Sequence, residues 1–134
     1  MRVHTTVAGV VSVLGAVVLC AAAIPARGTP PGTVTGFKIS ADPRSFSGSC
    51  PAKIAWTATI HVANPPVQVD YRWERSDGVK AAPKRVTVTE KTASVTDTWQ
   101  LGGAGAHLNV WERVHVISPN DKSSGTAPVK ITCS

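Results

Sequence analysis

Two cysteines, Cys50 and Cys133, constrain the fold of this chain more than any other feature of its sequence. Cys50 precedes the first long run of alternating apolar residues, and Cys133 stands one residue from the C-terminus. The third cysteine, Cys20, lies in an apolar N-terminal segment. Two cysteines in an exported domain are typical of a structural disulfide. A bond between them would tie together the ends of a small domain and would be worth roughly 4–5 kcal/mol on a chain-entropy account.

The N-terminal segment has the pattern of a secretory signal peptide. A weakly basic start precedes the uncharged, mostly apolar run Val7–Ala23, and small residues follow it. This order predicts a signal peptide over 1–26, with cleavage after Ala23 or Ala26. An uncleaved anchor is an alternative, because the run is at the short end of the roughly 17–25 residues that span a bilayer. Lipidation of Cys20 is another alternative, although a leucine precedes it where lipoprotein signals have a small residue.

The rest of the chain is long enough for one domain. We expect a flexible lead-in over 27–33, rich in glycine and proline, followed by a single domain over 34–134. Cleavage after Ala26 removes Arg2 from the 14 Lys and Arg and none of the 8 Asp and Glu, so the net charge falls from +6 to +5. A basic exported domain either meets anionic envelope polymers or carries ordinary solubility charge.

Apolar residues in this domain recur with a period of two, and no long window has helical spacing. The alternation predicts seven strands: Val34–Ser40, Lys53–Val62, Val67–Glu74, Arg85–Thr89, Ser94–Leu101, His107–Ile117 and Ala127–Cys133. Short alternating strands separated by turns are typical of a seven-stranded immunoglobulin-like β-sandwich, so the predicted fold class is all-β. Alternating strand directions place Cys50 and Cys133 at one pole, in opposite sheets.

The same alternation predicts which residues form the core. These residues are Phe37, Ile54, Trp56, Ile60, Val69, Tyr71, Trp73, Trp99, Val114, Val129 and Ile131. A buried tryptophan on the third strand, here Trp73, fits an immunoglobulin-like sandwich.

Several short stretches carry a resemblance to a known group of proteins. They are Ser47-Gly48-Ser49-Cys50-Pro51, the run from Tyr71 to Gly78, Trp99-Gln100-Leu101-Gly102-Gly103, and Ser118-Pro119-Asn120 followed by Cys133. Together they resemble the secreted single-domain immunoglobulin-like proteins of high-GC Gram-positive bacteria. The resemblance implies the fold and the secretion but no particular activity. Unlike antibody domains, this chain has no cysteine on its sixth strand.

The sequence contains no motif that would support catalysis or a cofactor. Gly102-Gly103-Ala104-Gly105 lacks the lysine and the helix of a phosphate loop, and no nucleophile or zinc motif is present. His107 and His115 share a strand but lie roughly 27 Å apart, too far to chelate one metal. We therefore predict no catalytic residue, no metal and no cofactor, and we expect that the protein is not an enzyme.

Two acidic residues, Asp97 and Glu112, occupy positions where the alternation calls for apolar side chains. Paired carboxylates in a cleft could do acid–base work. The favoured interpretation is that a β-bulge or an edge position turns each acid towards solvent, because the two strands belong to opposite sheets.

Trp111 is an apolar residue at a position where the alternation calls for a polar one, since it shares its parity with polar residues. Either a bulge near Glu112 turns Trp111 inward, or Trp111 is exposed.

The predicted partner-binding face combines outward residues of the third and sixth strands. Arg72, Trp111, Arg113 and His115 form this candidate face, because tryptophan and arginine are enriched at interface hot spots. A histidine there would make binding sensitive to pH near neutrality. Six cations also cluster between positions 72 and 91, which indicates either an anion-binding patch or a solvated surface. We expect no nucleic-acid partner, because no aromatic platform interleaves with the cations and the protein is predicted to be exported.

The predicted function is that of an exported, non-catalytic immunoglobulin-like module for recognition or cell-envelope association. Its partner would be a protein or an anionic envelope polymer, and no stable membrane span is expected after signal cleavage. The alternative is a loop-mediated inhibitor of an extracellular enzyme, which would act through Asn64-Pro65-Pro66 or through the loop from Ser76 to Pro83.

Overall fold

The computed structural model describes residue 15 and residues 30–134. The predicted signal peptide, apart from Gly15, and the start of the lead-in therefore lie outside the described residues. The described chain forms nine strands: β1 (Thr33–Asp42), β2 (Ser45–Gly48), β3 (Ala52–Ala63), β4 (Val67–Arg75), β5 (Lys84–Val88), β6 (Thr92–Leu101), β7 (His107–Ser118), β8 (Lys122–Ser123) and β9 (Ala127–Cys133). Over these residues the structure contains no helix long and apolar enough to cross a membrane.

The strands form two sheets of unequal size. The smaller sheet has the order β1-β3-β6, and all of its pairs are antiparallel. The larger sheet has the order β2-β9-β7-β4-β5, with β8 paired to β7. All pairs in the larger sheet are antiparallel except β2 with β9, which is parallel. The predicted all-β, immunoglobulin-like sandwich is thus confirmed.

All seven predicted strands are present, with small shifts at their ends. The two additional strands, β2 and β8, have four and two residues. Strands this short cannot show a period-two alternation, so the sequence pattern gives no signal for them. β1 begins at Thr33, the last residue of the predicted lead-in.

The inner faces of the two sheets enclose one apolar core. All the predicted core residues belong to it, but Phe37 and Trp99 are only half-buried. Trp56 and Trp73 are the largest fully buried side chains and come from opposite sheets. The indole N–H of Trp56 donates to the carbonyl oxygen of Ala127, 2.9 Å away, which adds a polar link between the sheets.

The predicted disulfide is present and joins Cys50 to Cys133 at one pole. It connects Cys50, two residues before β3 of the smaller sheet, to the end of β9 in the larger sheet. Gly102 packs directly against this bond, since a Cβ atom at Gly102 would lie 2.8 Å from the Cys133 Sγ atom and 3.0 Å from the Cys50 Sγ atom. Gly102 also has a φ of 94°. Both the space and the backbone conformation therefore require glycine there.

The position of Trp73 gives a first prediction. Trp73 is 1% exposed, and its indole N–H has no acceptor among residues 30–134. Trp73→Ala should lower the free energy of unfolding by about 3–5 kcal/mol, because it removes a large side chain from a closed core. Urea unfolding measures this loss. Trp73→Phe should lose much less, because it keeps most of the volume and removes an unsatisfied donor; equal losses in both variants would contradict the assignment.

The contact between Gly102 and the disulfide gives a second prediction. Gly102→Ala should destabilise the fold by about 1–3 kcal/mol, because the new methyl group meets both sulfur atoms in a backbone conformation that alanine avoids. Gly103→Ala is the matched control, since a Cβ atom there has nothing within 4 Å. Thermal unfolding of both oxidised variants provides the measurement, and similar melting temperatures for the two would refute the proposed constraint.

Candidate functional site

The four residues predicted to form a binding face lie together on the outer surface of the larger sheet. β4 and β7 are neighbours in this sheet, and their register places Arg72 opposite His115 and Glu74 opposite Arg113. The alternation of each strand then directs Arg72, Trp111, Arg113 and His115 away from the core. We call this surface the outer face and extend the name to Glu74, which lies among these residues.

Glu74 is the centre of a polar network on the outer face. Its carboxylate accepts hydrogen bonds from Arg113 at 2.9 Å and from Arg72 at 3.1 Å, and it lies 3.4 Å from the Nδ1 atom of His115. His115 also contacts Asp121 through its Nε2 atom at 2.7 Å. Burial by itself would raise the pKa of Glu74, but the hydrogen bonds and charges of Arg113 and His115 outweigh it and hold that pKa below its usual value.

Trp111 lies on the outer face and does not turn inward. The pairing of β7 with β9 is regular around it, so no bulge reverses its direction, and Trp111 is half-buried. The Arg113 guanidinium stacks over the indole, with its Cζ atom 5.7 Å from the ring centroid. The backbone N–H of Trp111 donates to the Ser76 hydroxyl at 3.1 Å. The inward alternative for Trp111 is therefore wrong.

A shallow groove continues the outer face towards β5. It has a volume of about 520 Å³ and is lined by Asp70, Pro83, Lys84, Arg85 and Ile117. The Arg85 guanidinium donates two hydrogen bonds to the Asp70 carboxylate, at 2.7 and 3.3 Å. Ile117 is 42% exposed, which is unusual for a large apolar side chain in this domain. The groove thus offers an apolar contact beside charged side chains.

The two acids at apolar positions behave differently from our expectation. Glu112 is fully buried and Asp97 points inward on edge strand β6, so neither is turned back to solvent. Arg75 brings them together across the core, donating to Glu112 at 2.8 Å and to Asp97 at 3.1 Å. Its guanidinium also stacks on Trp99, 4.7 Å from the ring centroid. The expectation failed because residues on opposite sheets meet across a sandwich only 10 Å thick.

The buried site holds two carboxyl groups for one guanidinium. Burial raises the pKa of Glu112 to about 8, Asp97 adds to this rise, and Arg75 opposes it. The second carboxyl oxygen of Glu112 accepts no hydrogen bond from any residue in the described range. Glu112 therefore keeps its proton at neutral pH, while Arg75 donates to both acids. A protonated Glu112 adds no buried negative charge to the core.

Sequence reasoning missed Arg75 as the residue that joins these acids. The signal was available, because Arg75 shares its parity with Tyr71 and Trp73 and so points inward. An inward-facing cation requires an inward-facing acid, since an isolated buried charge is costly. Glu74, at the opposite parity, lies on the outer face. Across residues 30–134, no cluster of three or more His, Cys, Asp or Glu side chains could hold a metal ion.

The comparisons with known proteins support the fold. Neither a family model nor a curated protein matches the chain. A crystal structure of the CARDB domain of a Pyrococcus furiosus protein, in complex with di-metal ions, is similar to this chain with a TM-score of 0.53 and 10% sequence identity. The match covers 75% of this chain and 96% of that domain. At this identity the similarity is one of fold alone.

The buried acid pair gives a prediction of pH dependence. The pKa of Glu112 rises from 4.5 to about 8 on folding. Its contribution to stability is therefore fully present below pH 4.5 and is lost as the pH rises towards about 8. Glu112→Gln should remove this alkaline loss, because the amide is neutral at every pH. Melting temperatures measured from about pH 5 to about pH 9 report the difference.

Glu74→Gln is the control for this experiment. The pKa of Glu74 is lowered, so its contribution is lost on the acid side, as the pH falls through that pKa. The Glu74→Gln variant should therefore keep the alkaline loss of the unsubstituted protein. If Glu112→Gln has the same alkaline slope as the unsubstituted protein, Glu112 does not hold a proton at neutral pH.

Proposed function

We propose that this protein is an exported, non-catalytic recognition module that binds a protein partner through its outer face. The observation that carries the proposal is the placement of Trp111 beneath Arg113, beside Arg72 and His115, on a sheet face that the fold itself leaves uncovered. Export is supported by the N-terminal segment and by the disulfide, which persists in oxidising compartments. The resemblance to secreted immunoglobulin-like bacterial proteins points the same way.

The chemistry of the outer face favours a protein over a simple polyanion. Arg72 and Arg113 already share the Glu74 carboxylate, and Arg85 is paired with Asp70, so much of the cationic charge is neutralised within the face. A half-buried tryptophan and the exposed Ile117 add apolar surface between these pairs. Aromatic and arginine anchors surrounded by satisfied polar groups are typical of protein interfaces.

The experiment compares variants in capture of a partner from the cell envelope of the producing organism. Trp111→Ala and Arg113→Ala should each weaken binding by about 2 kcal/mol, roughly thirtyfold, because each removes an interface anchor. Trp111→Ala should not lower the melting temperature appreciably, since this side chain lies outside the core. Arg113→Ala should lower it only modestly, because Glu74 loses one of its two arginine partners and keeps Arg72. Biosensor titration of the purified partner against each variant measures the affinities.

Lys53→Ala is the matched control, because it removes an exposed cation from the smaller sheet. Its affinity should equal that of the unsubstituted protein. If Trp111→Ala and Arg113→Ala bind as tightly as Lys53→Ala, the outer face is not the binding site.

One observation favours the alternative, an inhibitor of an extracellular enzyme. Val79 is 48% exposed in the turn that follows β4. The backbone N–H of Val79 donates a hydrogen bond to the Asp77 carboxylate at 2.9 Å. An apolar side chain presented on a braced turn could enter an enzyme cleft. Val79→Asp should abolish inhibition in a panel of extracellular proteases without affecting capture through the outer face, so the two functions can be distinguished.

A further inference from the structure

The two sheets do not cover each other completely. β1 packs against β9 and β3 against β7. Asp97 of β6 binds Arg75 of β4, so β6 lies over β4. By this order, β5 lies at the margin of the larger sheet, beside the last strand of the smaller one. Val88, at the end of β5, is fully buried, whereas Val86, which shares its inward parity, is only half-buried. The three-stranded smaller sheet therefore leaves the Val86 part of β5 incompletely covered.

The edge of the smaller sheet next to this position is strand β6. Half of its backbone N–H and C=O groups have no hydrogen-bond partner among the residues that the structure describes. The carbonyl oxygen of Lys91 accepts a hydrogen bond from Val62 in β3, and the register from Thr92 to Leu101 is unbroken. Backbone groups alternate sides along a strand. The backbone N–H and C=O groups of the odd-numbered residues of β6 thus bond to β3. Those of the even-numbered residues point away from β3, towards the open edge of the sheet. No residue of the described chain pairs with the N–H and C=O groups of Thr92, Ser94, Thr96, Thr98 and Gln100.

The other sheet edges carry more features that block strand pairing than β6 does. β5 is preceded by Pro83 and begins with Lys84 and Arg85. β2 has only four residues. β1 has a register shift between Val34 and Gly36. Short length, proline, bulges and charges, including inward-pointing ones, are the usual protections of a sheet edge. β6 is ten residues long and regular. Its one inward-pointing charge, Asp97, is already bound by Arg75 of the opposite sheet, so it does not bring an unpaired charge against an added strand.

We propose that β6 is a second interaction site, at which an extended segment of a partner polypeptide adds as the fourth strand of the smaller sheet. Its backbone would pair with the even-numbered residues of β6. Its inward side chains would be apolar, because they would cover Val86 and the half-buried Trp99. Its outward side chains would be small and polar, to continue the row of hydroxyl groups on Ser94, Thr96 and Thr98. This site is separate from the outer face.

A second copy of this chain does not fit the same position. If two copies paired through β6 in one continuous sheet, each β5 would extend over the neighbouring β6. The β4 strand of the other copy already occupies that place. A single strand without an opposing sheet avoids this collision. The occupant is therefore an extended segment, as in other cases of strand addition to a sheet edge.

The test uses hydrogen exchange followed by NMR on the full chain as exported. The probe is a lysine-flanked peptide of alternating threonine and valine, about nine residues long to match a typical strand. Without peptide, the amides of Ser94, Thr96 and Thr98 should exchange rapidly, while those of Val95 and Asp97 are protected. Saturating peptide should slow exchange of the even-numbered amides at least about tenfold. The same peptide with its central valine replaced by proline should have no effect.

Two substitutions place the peptide on β6. Thr96→Pro removes a backbone N–H that points to the open edge of the sheet. It should therefore weaken peptide binding while leaving the hydrogen bonds between β6 and β3 intact. Thr96→Lys and Thr57→Lys form a matched pair, because the two threonine hydroxyls contact each other at 3.3 Å but only Thr96 lies at the edge. Thr96→Lys should weaken binding at least about tenfold more than Thr57→Lys. This pair decides the outcome if the proline variant does not fold.

Three results would overturn the proposal. The first is unchanged exchange of the even-numbered amides at millimolar peptide. The second is equal weakening by Thr96→Lys and Thr57→Lys. The third is protection of the even-numbered amides without peptide that increases with protein concentration, which would show that a second copy occupies the edge.

Discussion

The disulfide between Cys50 and Cys133 is the constraint on which the rest of this structure depends. It joins the start of β3 to the end of β9, so it fixes one pole of the smaller sheet to the larger one. Gly102 directly follows the end of β6 and closes over the two sulfur atoms at the same pole. With this end held, the side chains of the two inner faces meet in one register. Within that core Trp56 lies against Trp99, with ring centroids 6.1 Å apart, and Arg75 reaches both of its acids.

The polar groups of this domain are distributed differently on the two sides of the larger sheet. On the outer face, Glu74 is outnumbered by cationic side chains, and its pKa is lowered. In the core, Arg75 is outnumbered by carboxyl groups, and the pKa of Glu112 is raised. The two glutamates lie on neighbouring strands, so their opposite behaviour comes from the local balance of charge and from burial. The same residue type therefore keeps its proton on the inner side of the sheet and carries its charge, paired with arginines, on the outer side.

The unequal sheets leave two surfaces available for partners. The larger sheet presents a side-chain surface, with Trp111 and Arg113 as its anchors. The smaller sheet presents a backbone surface along β6, where specificity would come from alternate side chains. The two surfaces face different directions, so one partner chain could occupy each without displacing the other. A recognition module of this size thus carries two distinct chemistries, one based on aromatic and charged side chains and the other on strand pairing.

The sequence by itself determined the sandwich, the positions of seven of its strands, the disulfide and the placement of Arg72, Trp111, Arg113 and His115 on one face. Period-two alternation and strand polarity are local properties, and they carry this information directly. The tertiary structure decided what alternation cannot express. Asp97 and Glu112 look like misplaced polar residues until the sheets stack and bring Arg75 between them. The direction of Trp111 depended on the absence of a bulge, and the open edge of β6 depended on β5 pairing with β4. Each of these outcomes is set by contacts between residues distant in the chain, which no window of sequence contains.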